Sequence, residues 1–154
     1  MVWRDVSDRY RTQQHAVGAA RLIAAGRSGA GTSPEELADI ATAEALRIAA
    51  DALLDPQVLL EAARDPSGQI VDFVYREVNQ ATCDYLGLAR EELLGRGVLE
   101  TMPGLKETLF TDYIRCLNTG EPVIRNDFAY DNEILRDTRR YDLRATRATA
   151  HSLT

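Results

Sequence analysis

The chain has 154 residues, which is enough for one domain and a shorter accessory segment. Its formal net charge of −6 argues against non-specific nucleic-acid binding, because such binding needs a basic surface. No apolar run approaches the roughly 20 residues that cross a bilayer, and the charged N-terminus lacks the apolar segment of a signal peptide. We therefore expect a cytoplasmic protein that binds neither nucleic acid nor membrane. Abundant Ala and Arg beside a single Lys is typical of a GC-rich bacterial genome.

The N-terminal 25 residues predict a short strand that passes into a helix. Residues 2–6 are apolar enough for a strand, and Ser7 can cap a helix through its hydroxyl. The helix is predicted to continue to residue 25. The sequence GRSGAGTS at 26–33 then breaks it, and its Gly, Ser and Ala content indicates a flexible linker.

A second helix is predicted over residues 34–55, with clear start and stop signals. Ser33 is the N-cap, Pro34 takes the first helical position and Glu36 completes a capping box. The pair Asp55-Pro56 ends the helix. An apolar face at helical spacing is formed by Leu37, Ile40, Ala41, Ala45, Ile48, Ala52 and Leu53.

The remaining chain predicts strands at both ends and helices between them. Residues 57–63 and 70–78 form a hairpin around a Pro- and Gly-containing turn, and Asn79 can cap the next helix. Short helices and one longer helix follow up to residue 120. The last strands are predicted at 122–130, 139–148 and from residue 151. This order predicts an α+β fold whose antiparallel sheet is covered by helices on one face.

The middle of this region, VNQATCDYLGLAREELLGR, together with YIRCLNTGEPV, resembles a PAS domain. The resemblance extends over roughly residues 53–154 and assigns a PAS core to 56–154. It implies an antiparallel five-stranded sheet with helices on one face, to which the N-terminal helices are added as flanking elements. It also implies a sensory or signalling role.

The last strand of a PAS domain, and the helix that follows it, are missing from the C-terminus but resemble the N-terminus. In the family this strand commonly ends in a motif like Asp-Ile-Thr-Glu-Arg, and residues 5–9 read Asp-Val-Ser-Asp-Arg. Residues 1–25 are then either the end of a preceding PAS repeat or the product of circular permutation. Both explanations predict that residues 2–6 fill the strand position after 151–154, in the same molecule, which we favour, or in a neighbour. The resemblance assigns signal coupling to Trp3, Asp5, Ser7 and Arg9.

No cofactor is assigned by the sequence. The haem-binding members of the family need an axial ligand near the long helix, and residues 105–119 contain no His. The covalent flavin sensors carry a Cys in a motif whose counterpart here reads GRGVLETMPG, and Cys83 lies one helix too early. The sequence therefore carries neither a haem nor a covalent flavin signature.

An apolar pocket between sheet and helices is implied by the family. If Val74 and Val78 face it, Arg76 faces it too and would suit an anionic ligand. We therefore expect a small apolar or anionic ligand, although plain core packing explains the same residues. The candidate lining residues are Leu59, Phe73, Arg76, Leu86, Leu94, Leu109, Tyr113, Leu117, Phe128, Tyr141 and Leu143.

Together these features predict a bacterial PAS sensory or interaction module that is not an enzyme. Binding of a ligand or partner would be transmitted to an output domain through a flanking helix. A homodimer is expected, through the apolar face of the 34–54 helix or by strand swapping. Two alternatives remain open, namely a ligand-free structural dimerisation module and a small α+β enzyme.

Overall fold

The computed structural model describes residues 1–7 and 33–154. The helix predicted over 8–25, the linker up to residue 32 and Arg9 lie outside the described residues. Within them the element order confirms an α+β fold. The elements are β1 (Val2–Asp5), α1 (Pro34–Asp51), β2 (Val58–Arg64), β3 (Ile70–Val78), α2 (Gln80–Leu86), α3 (Arg90–Leu93), α4 (Val98–Thr101), α5 (Leu105–Thr108), α6 (Phe110–Thr119), β4 (Val123–Asn132), β5 (Asp137–Ala145) and β6 (Ser152–Leu153).

The helix α1 begins at the predicted capping box. The Glu36 amide donates to Ser33 Oγ at 3.2 Å, and the Ser33 amide donates to Glu36 Oε2 at 2.8 Å. None of the α1 residues is buried, and the helix is held at its C-terminal end. There Asp51 Oδ1 accepts from the Gln80 amide at 2.8 Å and from Arg90 Nη2 at 2.6 Å.

The hairpin of β2 and β3 forms as predicted, with two irregularities that the sequence pattern does not reveal, one near Arg64 and the other at Arg76. Leu59 lies opposite Glu77 and Leu60 lies opposite Tyr75, so Arg76 has no partner of its own on β2. Such an extra residue is a β-bulge, and it shifts the alternation of side chains between the two faces.

The predicted single five-stranded sheet is not confirmed, because the described strands form two three-stranded sheets. One has the order β1-β5-β4 and the other β3-β2-β6. The position between β5 and β2 is shared by two short strands, and each of them forms a full ladder with only one neighbour. Isolated bridges, such as Val2 with Gln57 and Arg147 with Leu153, link the two sheets.

On the β5 side, β6 and β1 continue one another in an unbroken register. Thr154 and Thr146 exchange two backbone hydrogen bonds of 2.7 and 2.8 Å. Val2 lies opposite Arg144, which comes two residues before Thr146 in sequence. If Thr154 is followed directly by Met1, one residue lies between Thr154 and Val2, just as one residue lies between Thr146 and Arg144. No position opposite β5 is therefore skipped. We call residues 151–154 followed by 1–6 the composite strand.

The same continuity holds on the β2 side of the composite strand. Leu153 lies opposite Leu60, and Val2 lies opposite Gln57. Two residues, Thr154 and Met1, lie between Leu153 and Val2, and two residues, Leu59 and Val58, lie between Leu60 and Gln57. The end of the chain and its beginning therefore occupy one strand position as if they were a single segment.

The core lies between the sheets and the helices α2 to α6. Phe73 of β3 is fully buried and meets the rings of Phe110 and Tyr113 edge-on, with centroids 5.8 and 6.0 Å apart. The core thus ties β3 to the longest helix of this layer. Among the described residues, none of the helices has the length and apolar character that crossing a bilayer requires.

Candidate functional site

A small central cavity lies between the first sheet and the helices α2, α5 and α6. Its volume is about 40 Å³, which leaves room for two or three water molecules. Its wall is almost entirely apolar and aromatic, with a polar edge from Asn132 and tyrosine hydroxyls. The lining residues are Met1, Trp3, Leu86, Met102, Leu105, Leu109, Tyr113, Phe128, Tyr130, Asn132, Tyr141 and Leu143.

The predicted pocket residues divide into those that line this cavity and those that do not. Leu86, Leu109, Tyr113, Phe128, Tyr141 and Leu143 line it. Phe73 and Leu117 are buried in the surrounding core, and Leu94 is half-buried against that core. Leu59 instead lines a separate groove between α1 and the second sheet. Leu59, Phe73, Leu94 and Leu117 are therefore corrected to positions outside the cavity wall.

The prediction that Arg76 enters the pocket is also corrected. Its side chain is half exposed and forms an ion pair with Glu61 on the outer face of the hairpin. The cause is the bulge at Arg76, because it places both Tyr75 and Val78 on the core side and leaves Arg76 outside. Arg76 therefore does not favour an anionic ligand in the cavity.

Met1 fills part of the space that a ligand would use. Its Sδ atom accepts a hydrogen bond from the Tyr113 hydroxyl at 2.8 Å. Tyr113 is fully buried, and burial raises its pKa well above the usual value, so the hydroxyl keeps its proton. A thioether is a weak acceptor, so this buried donor has a poor partner. No local sequence signal indicates a role for Met1, because its place in the cavity depends on the position of β1.

The amino group of Met1 is buried within the sheet. It donates to the Val58 carbonyl oxygen at 2.6 Å, and the Val58 amide donates to the Met1 carbonyl oxygen at 2.8 Å. Burial lowers the pKa of this amino group to about 5, with a smaller opposing effect of Cys116. The amino group is therefore uncharged at neutral pH when β1 is in place.

A chain of hydrogen bonds leads from the polar edge of the cavity to the end of β1. Asn132 Nδ2 donates to the Tyr141 hydroxyl at 3.0 Å, and this hydroxyl lies 3.1 Å from that of Tyr85. The Tyr85 hydroxyl lies 2.8 Å from Asp5 Oδ2. Because a phenol has one proton and a carboxylate is the stronger acceptor, Tyr85 donates to Asp5 and accepts from Tyr141. We call these four side chains the cavity relay.

Asp5 joins this relay to the residue that follows β1. Its Oδ1 atom accepts from the Ser7 amide at 2.8 Å, and its Oδ2 atom pairs with Arg139 Nη1 at 3.3 Å. Burial alone would raise the pKa of Asp5, but hydrogen bonds from Ser7 and Tyr85 and the charge of Arg139 outweigh it and lower the pKa. Asp5 is therefore ionised at neutral pH.

Three of the four predicted coupling residues lie in this arrangement. Trp3 lines the cavity, Asp5 ends the relay, and Ser7 Oγ accepts from the Arg140 amide at 3.1 Å. Tyr85 and Asn132 were missed, since each lies in an unremarkable local sequence. Asn132 had one available signal, because its Oδ1 accepts the amides of Ile134 and Leu135 in the turn after β4, as Asn often does.

The segment from β2 to β6 matches a known protein family. A family model described as PAS fold covers residues 63–153 of the chain. The chain belongs to the PAS family. The resemblance noted in the sequence is thereby confirmed, and no curated protein matches the chain.

Membership of the PAS family indicates what kind of role the cavity can have. PAS domains are generally sensory modules rather than enzymes. In this PAS domain the cavity wall is completed by β1, which comes from the opposite end of the chain to β6. Any molecule that enters the cavity therefore meets Met1 and Trp3 directly.

Proposed function

We propose that this PAS domain is the sensory module of a bacterial signal-transduction protein, and that it passes the state of its central cavity to an output domain through the chain after Ser7. The observation that carries the proposal is the cavity relay, which joins a cavity-lining amide and phenol to the carboxylate of Asp5. The backbone amide of Ser7 donates a hydrogen bond to that carboxylate. A change at the cavity edge thus reaches the exit of β1 through hydrogen bonds alone.

The cavity chemistry indicates what kind of ligand would be sensed. The wall is apolar and aromatic, and its poorly satisfied buried donor is the Tyr113 hydroxyl. A small apolar molecule with one hydrogen-bond acceptor suits this surface. The present volume holds only a few waters, so entry requires the Met1 side chain to move aside. Ligand entry and the position of β1 are therefore linked.

The methionines and the tryptophan of the chain can report ligand binding to the cavity in NMR spectra. The chain has two Met and one Trp, and Met1, Met102 and Trp3 all line the cavity. We expect acetophenone to shift both carbon-13 methyl signals of the methionines and the indole signal of Trp3 in NMR spectra. In Tyr113→Phe the affinity for acetophenone is expected to fall about fivefold, because the loss of one hydrogen bond weakens binding by about that factor. The affinity for ethylbenzene, which has no hydrogen-bond acceptor, is expected to stay the same.

The transmission step has a separate control. In Tyr85→Phe, acetophenone should still shift the methionine methyl signals, but the Ser7 amide should no longer respond, because the relay to Asp5 is cut. If neither methyl signal moves at the solubility limit of acetophenone, the cavity does not accept this class of ligand. If both move and Ser7 responds equally with and without the Tyr85 hydroxyl, the relay does not carry the signal.

A ligand-free dimerisation module is the second candidate, and the small size of the cavity favours it. For both candidates we propose a homodimer through the outer face of α1, where Leu37, Ile40 and Ile48 are exposed. These three lie on one side of the helix, and Leu46 lies on the opposite side.

Substitutions on the two sides of α1 test this dimer. We expect Ile40→Glu to raise the dimer dissociation constant at least about tenfold, because it places a charge in an apolar contact. Leu46→Glu is the matched control, since Leu46 is 67% exposed and Ile40 58%. Sedimentation equilibrium measures both. Equal effects of the two changes, or none from Ile40→Glu, would argue against an α1 interface.

A further inference from the structure

The position that β1 occupies in the sheet is formed by residues that lie far from β1 in sequence. We call this position the strand slot; β5 forms one edge of it and residues 56–58 form the other. At one end β6 already joins both edges, through Thr154 with Thr146 and through the Ala62 amide with the His151 carbonyl oxygen at 2.8 Å. β6 therefore bridges the two edges beside the slot, and β1 occupies the slot as a separate segment of the chain.

The backbone partners of β1 are all distant in sequence. The Trp3 amide donates to the Pro56 carbonyl oxygen at 3.1 Å, and the Val6 amide donates to that of Arg140 at 2.8 Å. An open slot would expose two rows of unpaired backbone groups, which is a template for pairing with another extended segment.

The side-chain partners of β1 are equally distant. Arg4 makes a two-fold contact with Asp55, at 2.9 and 2.7 Å, and Asp5 accepts from Tyr85. None of these contacts requires β1 to belong to the same molecule, because only residues 8–32 connect it to α1. A β1 strand from a second copy would make every one of them unchanged.

We propose that β1 is exchangeable, and that the strand slot of one copy accepts β1 of a second copy to give a strand-exchanged dimer. The connecting residues 8–32 reach roughly 50 Å even if 8–25 form the helix that the sequence predicts, which is enough to span to a neighbouring molecule. The closed and exchanged forms share all contacts of β1, so concentration decides between them. A tether of this length holds its own strand at an effective concentration on the order of 1 mM. Exchange therefore grows as the protein concentration approaches that value.

Disulfide trapping between two different variants tests the exchange. Val2 and Gln57 lie opposite each other, between the hydrogen-bonded positions of that edge, where antiparallel side chains are closest. Val2→Cys and nitrogen-15-labelled Gln57→Cys are mixed at total concentrations from about 10 μM to about 1 mM and oxidised. We expect a mixed disulfide dimer, identified by mass, whose share rises with concentration. The native Cys83 and Cys116 are buried.

The matched control replaces Gln57→Cys with Leu54→Cys. Leu54 is 93% exposed and lies three residues earlier, away from the position opposite Val2. Collision alone would link Val2→Cys to Leu54→Cys at least as well as to Gln57→Cys. Exchange predicts at least about tenfold more mixed dimer with Gln57→Cys at the highest concentration.

A second pair tests the other edge of the strand slot. Arg4 lies opposite Asp142, so Arg4→Cys mixed with Asp142→Cys reports on exchange along β5. The double variants Val2→Cys/Gln57→Cys and Arg4→Cys/Asp142→Cys show whether each pair can be linked within one chain. A mixed dimer above control from either pair supports exchange. Its absence from both pairs at about 1 mM overturns the proposal. The outcome is independent of whether the cavity binds acetophenone.

Discussion

Replacing Trp3 with alanine is expected to lower the free energy of unfolding by about 3–5 kcal/mol. Trp3 is buried, it lines the central cavity, and it lies in the middle of β1 with Leu143 opposite. The truncation removes a large buried side chain from the cavity wall and leaves additional empty space there, while Met1 and Val6 remain buried. Urea denaturation followed by far-ultraviolet circular dichroism measures the change, since the variant has lost the single Trp.

The neighbouring residue provides the control for this prediction. Arg4 is exposed and pairs with Asp55 at the surface, so Arg4→Ala is expected to cost at most about 1 kcal/mol. Both variants keep the backbone hydrogen bonds of β1. If Trp3→Ala and Arg4→Ala lower stability by similar amounts, the packing of Trp3 does not hold β1 in place.

Asn79→Ala is expected to lower the free energy of unfolding by about 2–4 kcal/mol. Asn79 Oδ1 accepts from the Gln57 amide at 2.9 Å, and from the amide and hydroxyl of Thr82 at 3.1 and 2.8 Å. Its Nδ2 atom donates to the carbonyl oxygens of Ala50 and Asp55 at 3.2 and 3.0 Å. Asn79 is only 3% exposed, so the substitution removes all of these side-chain hydrogen bonds from a largely buried site.

Two companion variants separate the roles of this side chain. Asn79→Asp keeps the acceptor for the helix cap but sets a carboxylate against the carbonyl oxygens of Ala50 and Asp55, and it is also expected to destabilise. Gln80→Ala changes the exposed next residue and is expected to stay within about 0.5 kcal/mol. Denaturant titration measures all three. A stability for Asn79→Ala close to that of Gln80→Ala would contradict the central role of Asn79.

The role of Asn79 was visible in the sequence only in part. An Asn directly after a predicted strand and before a helical pattern indicates a cap, and the structure confirms that contact with Thr82. The contacts with Gln57, Ala50 and Asp55 join segments that lie far from it along the chain. No local pattern carries that information, so the larger expected effect follows from the tertiary structure.

Arg76 shows why the face of a strand can be misassigned. Both faces of β3 are apolar in sequence, so strict alternation allows two solutions, and either of them places Val78 on the same face as Arg76. The bulge at Arg76 lets Phe73, Tyr75 and Val78 all face the core, which no regular alternation allows. A bulge depends on pairing with the neighbouring strand, and the sequence of β3 alone does not reveal it.

The sequence by itself determined the element types and their order, because strand alternation, helix caps and turn residues act over a few neighbouring positions. The hairpin of β2 and β3, the capping box of Ser33 and the PAS resemblance all rest on such local signals. It also placed a strand at residues 2–6 that suits the end of a PAS sheet.

Only the tertiary structure decided how the two ends of the chain share one strand position, and with what consequence. It set β1 beside β5 in register with β6, split the sheet in two, and brought Met1 and Trp3 into the cavity wall. These outcomes depend on hydrogen bonds and packing between residues that are separated by most of the chain. Their free energy exists only when the sheet and helices are assembled, so no stretch of sequence contains it.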